Sequence, residues 1–375
     1  MIKVMLIFGT RAEAIKVAPV IKELQRRKSI KTIVCVTAQH REMLDQVLET
    51  FDIVPDIDLN IMKQGQTLSD ITTRVIKGME PIFEKEKPDL VLVHGDTNTT
   101  YSAALSAFYY RIPIGHIEAG LRTYDKYAPY PEEMNRQMVS CLADLNFAPT
   151  NLAKQNLLDE KRKAETIFVT GNTVIDALKI TVSDKYKNEV LDSIPKKDRI
   201  ILLTAHRREN LGKPMENIFN AVKRIVEEYN DISVIYPMHK NPVVRDLAVK
   251  ILGNNEKIKL IEPLDVLDFH NFMSRSYLIL TDSGGIQEEA PSMGKPVLVM
   301  RDTTERPEGI EAGTLKLVGT NEEEIIKQTK LLLDNKEEYE KMSKASNPYG
   351  DGKASIRIAD AIEKYFSVDK RDFNW

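Results

Sequence analysis

Thr281-Asp282-Ser283-Gly284-Gly285-Ile286-Gln287-Glu288-Glu289-Ala290-Pro291 comes directly after the apolar run Tyr277-Leu278-Ile279-Leu280. The run has the length and composition of a buried parallel strand, and the residues after it have the pattern of a helix. Ser283 is placed to cap that helix. The paired glycines let an anion approach bare backbone at the positive helix end. Glu289, a turn or two inside the helix, is in reach of the hydroxyls of an adjoining ribose. A diphosphate cradle beside a ribose clamp is what a nucleotide sugar requires. After the next strand, Pro296-Val297-Leu298-Val299-Met300, a second polar turn runs Arg301-Asp302-Thr303-Thr304-Glu305-Arg306-Pro307-Glu308. It is expected beside the first, at the same end of the sheet.

Outward from this stretch, short apolar runs alternate with helical patterns along the whole chain. This is the signature of parallel α/β architecture. In the first half, strands are expected at residues 3–8, 32–37, 90–94, 112–117, 145–148 and 166–170. In the second they are expected at 200–204, 233–236, 259–261, 278–281, 296–299 and 315–318. A charged helical segment from about Asp176 to Lys197 separates the halves. The reading is two doubly wound, Rossmann-like domains facing each other across a cleft. In such sheets ligands bind beyond the carboxyl ends of the strands.

The bulk numbers narrow the function classes. A chain of 375 residues is long enough for two cores. Lys and Arg total 53 and Asp and Glu 56, so no basic excess points to nucleic acid. No apolar stretch approaches a membrane span, and the chain opens directly into a strand with no signal-peptide pattern. Cys35 and Cys141 sit in apolar contexts and read as reduced core residues. The expectation is a cytoplasmic protein without nucleic-acid or membrane partners.

The strand ends concentrate reactive residues. The first ends in Gly9-Thr10-Arg11-Ala12-Glu13-Ala14-Ile15-Lys16, where Gly9 permits a tight turn and Arg11 and Lys16 stand near a helix start, suited to phosphate. Another ends in His94-Gly95-Asp96-Thr97, and the next in His116-Ile117-Glu118-Ala119-Gly120-Leu121-Arg122. A short crossover joins these two, so Asp96 and Glu118 are expected to be neighbours. Glu132-Glu133 lies further on, in the proline-rich loop Pro129-Tyr130-Pro131-Glu132-Glu133-Met134-Asn135-Arg136, so three candidate carboxylates converge. In the second half, strands lead into Ala205-His206-Arg207-Arg208-Glu209-Asn210 and Pro237-Met238-His239-Lys240-Asn241-Pro242. The histidine spacings match no compact zinc motif, so no metal site is expected.

These motifs, in this order and spanning nearly the whole chain, resemble the non-hydrolysing UDP-N-acetylglucosamine 2-epimerases. The resemblance implies a glycosyltransferase-B-like fold, a homodimer and no organic cofactor. It implies a first domain of residues 1–171 joined by a last helix within 354–375, and a UDP-binding second domain of residues 172–353. It implies reversible epimerisation at C2 between UDP-N-acetylglucosamine and UDP-N-acetylmannosamine, through 2-acetamidoglucal and UDP, feeding surface-polysaccharide or glycan synthesis. By the same resemblance, Asp96, Glu118 and Glu132 are the acid–base carboxylates, with the face of C2 each serves left open. His206 assists the leaving diphosphate. Arg11, Ser283, Gly284 and Gly285 hold phosphates with Lys16 nearby, Glu289 clamps the ribose, and Arg306 contacts the sugar or its phosphate. Gln39, Gln66, Arg207 and His239 match the positions that hold a second, activating nucleotide sugar in some members. A glycosyltransferase of the same architecture would share the cradle and the clamp, but it would need an acceptor site. Three carboxylates around one sugar fit proton shuffling better.

Overall fold

The computed structural model describes residues 1–304 and 306–372, with side chains described as far as residue 367. The chain divides into two compact units: Met1–Ile180 with the segment from Tyr349 onward, and Thr181–Pro348. In the first unit the strands are β1 (Ile2–Phe8), β2 (Ile30–Val36), β3 (Ile57–Asp58), β4 (Leu90–His94), β5 (Ile114–Ile117), β6 (Leu145–Ala148) and β7 (Ile167–Val169). They form one parallel sheet in the order β3-β2-β1-β4-β5-β6-β7. In the second unit the strands are β8 (Arg199–Thr204), β9 (Ile232–Pro237), β10 (Ile258–Ile261), β11 (Leu278–Thr281), β12 (Val297–Val299) and β13 (Leu315–Leu317). Their order is β10-β9-β8-β11-β12-β13, again all parallel.

Both sheets therefore reverse direction of growth once, between β1 and β4 and between β8 and β11. At such a switch point the neighbouring strands lead into connections that diverge, leaving a crevice at their carboxyl ends. The strands read as continuous apolar runs because helices cover both faces. Val91 and Val93 of β4 pack with Met5 and Ile7 of β1 and with Phe83 and Met79 from the helix Leu68–Glu86. Ile201, Leu203 and Tyr236 pack under Phe219 and Val222 of the helix Lys213–Glu228.

Three features differ from the expectation. Cys141, read as a core residue, is exposed on the helix Glu132–Leu142, whereas Cys35 is buried. β3 is two residues long and pairs Ile57 with Cys35, which is too short to leave a periodicity. The charged segment between the halves is helical only over Thr173–Thr181 and Glu189–Asp192. Asp176 ties the first of these helices to the last one, Ala354–Asp372. Its carboxylate accepts from the backbone N–H of Ala354 at 3.1 Å and of Ser355 at 2.8 Å. The last helix also packs on the helix Arg11–Arg26, with Arg27 bonded to Glu363 at 3.0 Å. Residues 373–375 of the segment expected to form the last helix lie outside the described residues.

Candidate active site

At the first switch point Gly9 ends β1. It is needed for space rather than for a positive φ: a Cβ there would lie 2.0 Å from Thr37 Oγ1 and 2.7 Å from Thr99 Oγ1. Thr10 then caps the helix Arg11–Arg26, and Glu13 closes a capping box with it. Glu13 is 2% exposed and does more than cap. Its carboxylate accepts from Gly9 N at 3.1 Å, Thr10 N at 2.8 Å and Thr97 Oγ1 at 2.8 Å, so it joins the end of β1 to the turn after β4. Burial raises its pKa even against these bonds. The sequence reading assigned Glu13 no task, although the T-x-x-E spacing was a usable signal. Arg11 is the first residue of the helix.

The carboxylates meet beyond β4 and β5. Glu118 holds φ at +67°, a left-handed conformation unusual for a residue with a side chain, between Gly95 at +68° and Gly120 at +91°. This sharp exit turns the Glu118 carboxylate back onto the sheet end. There it forms an ion pair with Lys16 and accepts from Asn172 Nδ2 at 3.1 Å, with His94 Nε2 at 4.0 Å. Lys16, expected near phosphate, thus has its ammonium on Glu118. His94 and His116 are buried, and burial pushes both down to about 4, so both rings are neutral near pH 7. His116 Nε2 lies 2.7 Å from the Gly95 carbonyl, bracing the turn that carries Asp96.

Asp96 carries the largest useful perturbation. Burial pushes its carboxyl up to about 6, against the pull of Arg136, and the charges of Glu118 and Glu132 push the same way as burial. Its side chain keeps 27% exposure, so it is reachable from solvent. Glu132 starts the helix Glu132–Leu142. The structure therefore brings Asp96, Glu118 and Glu132 into one electrostatic neighbourhood.

The second switch point is organised around Asp282, to which the sequence reading gave no role of its own. Asp282 is fully buried. Its Oδ2 accepts from the backbone N–H of His206 and of Arg207, each at 2.8 Å, and from Asn210 Nδ2 at 3.2 Å, while Oδ1 lies 3.1 Å from His206 Nδ1. Burial alone would raise this carboxyl, but His206 and these N–H donors hold it below the usual range. One carboxylate thus fixes the loop after β8 against the turn after β11 and orients the His206 ring. His239 stacks on that ring at 5.6 Å between centroids.

Ser283 occupies the cap position of the helix Gly284–Glu289, but its side chain makes no cap bond. The first N–H groups of this helix are therefore not covered by the serine that the sequence placed there. Glu289 lies with Oε2 3.5 Å from His270 Nε2, and His270 is anchored through Nδ1 to Thr181 Oγ1 at 2.7 Å. The second polar turn does lie beside the first. Gln287 bonds both the Ser283 carbonyl at 3.0 Å and Thr304 Oγ1 at 2.5 Å, and Arg306 is paired with Glu288. Glu305 of that turn lies outside the described residues.

Of the four residues read as a second ligand site, the glutamines lie together in the first unit and the other two in the second. Gln66 Nε2 donates to the Gln39 carbonyl at 3.2 Å, and Gln39 Oε1 accepts from Thr99 Oγ1 at 2.9 Å. Arg207 Nε donates to the Asp282 carbonyl at 3.2 Å. Among the described residues no cluster of His, Cys, Asp and Glu is arranged to hold a metal ion, and no helix is long and apolar enough to cross a membrane.

Comparison with known proteins identifies the family. A family model described as UDP-N-acetylglucosamine 2-epimerase matches residues 22–363. The chain is 60% identical over 369 residues to the UDP-N-acetylglucosamine 2-epimerase of Bacillus subtilis, covering 98% of this chain and 97% of that one. Among solved structures, S. aureus MnaA with UDP is 60% identical with a TM-score of 0.87, covering 98% of both chains. The UDP-GlcNAc 2-epimerase of Neisseria meningitidis bound to UDP-GlcNAc is 51% identical with a TM-score of 0.86, covering 97% of this chain and 100% of that one. The two-domain, glycosyltransferase-B-like α/β fold read from the sequence is the fold of these proteins. With matches of this extent in both sequence and structure, the chain belongs to the UDP-N-acetylglucosamine 2-epimerase family.

Proposed function

We propose that this enzyme interconverts UDP-N-acetylglucosamine and UDP-N-acetylmannosamine by eliminating UDP and adding it back, without hydrolysis. The C2 proton of the sugar is not acidic, because no carbonyl stands beside it in the ring. A carboxylate removes it as the anomeric C–O bond breaks. The C–H electron pair becomes the C1–C2 double bond of 2-acetamidoglucal, and UDP departs with the C–O pair. A proton then arrives at C2 on the opposite face while UDP rejoins C1. The route is redox-neutral and requires no cofactor.

Inversion needs one proton-handling group on each face, and the observation that supports the reading best is the cluster of Asp96, Glu118 and Glu132. Asp96, near 6, holds or releases a proton readily at neutral pH. His206, braced by Asp282, fits assistance to the leaving diphosphate. Ser283, Gly284 and Gly285 fit the phosphates, Glu289 the ribose, and Arg11 and Arg306 the remaining charge. In this reading water is kept from the glucal while UDP is detached. The enzyme acts as a cytoplasmic homodimer supplying precursors for surface polysaccharide or glycans.

Proton NMR of UDP-N-acetylglucosamine with enzyme in deuterated water tests this without any acceptor. The expected result is UDP-N-acetylmannosamine with deuterium at C2. Epimerisation with protium retained at C2 would sink proton abstraction. Release of free N-acetylmannosamine would show a hydrolysing enzyme instead.

A further inference from the structure

Asp96 is seated by one helical turn that the proposed chemistry leaves unused. Asn135 Nδ2 donates to the Asp96 carbonyl at 2.9 Å, and Arg136 Nη1 lies 3.4 Å from its carboxylate. Arg136 is itself held from behind, donating through Nε to Glu133 at 2.7 Å. Glu133 is fully buried and also accepts from Thr123 N and Tyr124 N, each at 3.0 Å, and from Gln137 Nε2 at 2.7 Å. Those donors keep Glu133 ionised: burial opposes its charge, but Gln137, Thr123, Arg136 and Tyr124 bring its pKa below the usual value.

Resting on the reaction proposed above, we infer that Arg136, locked in place by Glu133, is a positioning residue that sets the charge state of Asp96. A purely structural ion pair explains this arrangement less well. Glu133 has three other donors, so Arg136 is not required to satisfy it. The guanidinium is a rigid fork whose far edge is left facing the reactive carboxylate. Four charged groups act on Asp96: Arg136 and Glu132 from the helix Glu132–Leu142, Glu118 from the end of β5, and Lys16 from the helix Arg11–Arg26. The ammonium of Lys16 is engaged by Glu118. Of these groups, Arg136 places a guanidinium nitrogen 3.4 Å from the Asp96 carboxylate. The same Glu133 carboxylate gathers Thr123 and Tyr124, so the loop after Gly120 and the cation on Asp96 share one anchor.

The sign of the effect is fixed. A cation beside a carboxylate favours ionisation, so its removal moves Asp96 to higher pH, by about one to three pH units for contact at this range. The experiment tracks the Asp96 carboxyl in the whole protein by ¹³C NMR, with the resonance assigned by its loss in Asp96→Asn. Its titration is compared with the pH dependence of kcat. In Arg136→Met both the NMR midpoint and the matching limb of the kcat profile should move up together, with UDP affinity by calorimetry changed less than about threefold. Arg136→Lys should bring the midpoint part of the way back. If Arg136→Met fails to fold because Glu133 is left as a buried anion, the double variant Glu133→Gln/Arg136→Met removes both charges and should show the same upward shift. An unmoved midpoint in the folded variant overturns the inference. A midpoint that moves while the kcat limb stays put upholds the couple and instead overturns the role given to Asp96 in the reaction.

Discussion

The two switch points have the same strand order and opposite chemistry. At the first, between β1 and β4, the proposed function rests on side-chain charge: Asp96 raised by burial, Glu118 held at a strained φ against Lys16, and Arg136 backed by Glu133. At the second, between β8 and β11, the buried acid Asp282 accepts through Oδ2 from three N–H donors and fixes loops. What remains there for a ligand is backbone at Gly284 and Gly285, together with the His206 ring. In the proposed reading one topology supplies a crevice twice, and the residues at each rim suit one to moving protons and the other to gripping an anion. The two regions should therefore answer differently to substitution and to pH.

The largest difference is expected in activity. Glu118→Gln or Asp96→Asn should lower kcat by about 10²–10⁴, the usual range for a lost acid–base group, and leave UDP affinity nearly intact. Glu289→Ala, on the other switch point, should weaken UDP binding more than it lowers kcat at saturation. Calorimetry with UDP and steady-state kinetics on the same preparations make the comparison. If Glu118→Gln loses UDP binding as severely as turnover, the division between a proton-moving rim and an anion-gripping rim is broken.

A smaller and subtler difference is expected from acid. Asp96 titrates higher in the folded protein than in the unfolded chain, so the folded state binds its proton first. Its contribution to stability is full below the unfolded value near 3.9 and is lost as pH rises through about 6. Burial makes Glu13 act in the same direction. Asp282 is the reverse case: its contribution is present above the unfolded value and lost as pH falls through its lower folded value. His94 on β4 and His116 on β5 outweigh Asp96 and Glu13: burial holds both rings down to about 4, so the unfolded chain binds their protons first and their contribution is lost as pH falls below about 6.5. Hydrogen exchange corrected for intrinsic rates should therefore show β4 and β5 less well protected at pH 5 than at pH 7, with β8 and β11 changed less. Below about pH 4 the β8–β11 region should lose protection. Parallel behaviour of the two regions across this range would remove the electrostatic contrast.

Much of this contrast was readable from sequence, and the unread part has a common cause. Strands such as Leu90–His94 and Leu278–Thr281 announce themselves because a strand covered on both faces must be apolar throughout. The polar residue next after such a run lands at the sheet end, which is why Asp96, Glu118 and His206 stand out. What stayed hidden is partnership. Lys16 and Glu118 are separated by 102 residues, and His206 and Asp282 by 76, so no local spacing reveals that either pair meets. Lys16 near a helix start looked like a phosphate ligand because helix ends favour anions; the carboxylate 102 residues on is an anion too. The exception is Glu13, whose capping-box spacing was local and legible.

The sharpest test of the contrast lies in its glycines, where the expected energies are smallest. Gly9 and Gly285 both come after strand ends and neither has a positive φ, so conformation does not distinguish them. Space does. A Cβ on Gly9 would sit 2.0 Å from Thr37 Oγ1, closer than atoms approach, and the buried threonine cannot swing away without giving up its contact with Thr99 at 2.9 Å. Gly9→Ala should therefore destabilise the first unit by about 1–3 kcal/mol, as overpacking does. On Gly285 the nearest atom would be Glu289 Oε1 at 3.4 Å, an ordinary contact. With a helical backbone and room for a methyl, Gly285→Ala should stabilise the protein without ligand by about 0.4–1 kcal/mol, because the unfolded chain loses freedom. If Gly285 is kept bare for a diphosphate, the same variant must weaken UDP binding, since the methyl stands where phosphate oxygens approach the backbone. Thermal unfolding with and without UDP reads both effects at once. The variant should melt slightly higher than the parent alone and lower than the parent in saturating UDP. A variant that melts higher in both states would show that the glycine pair is a packing feature and that the anion is gripped elsewhere.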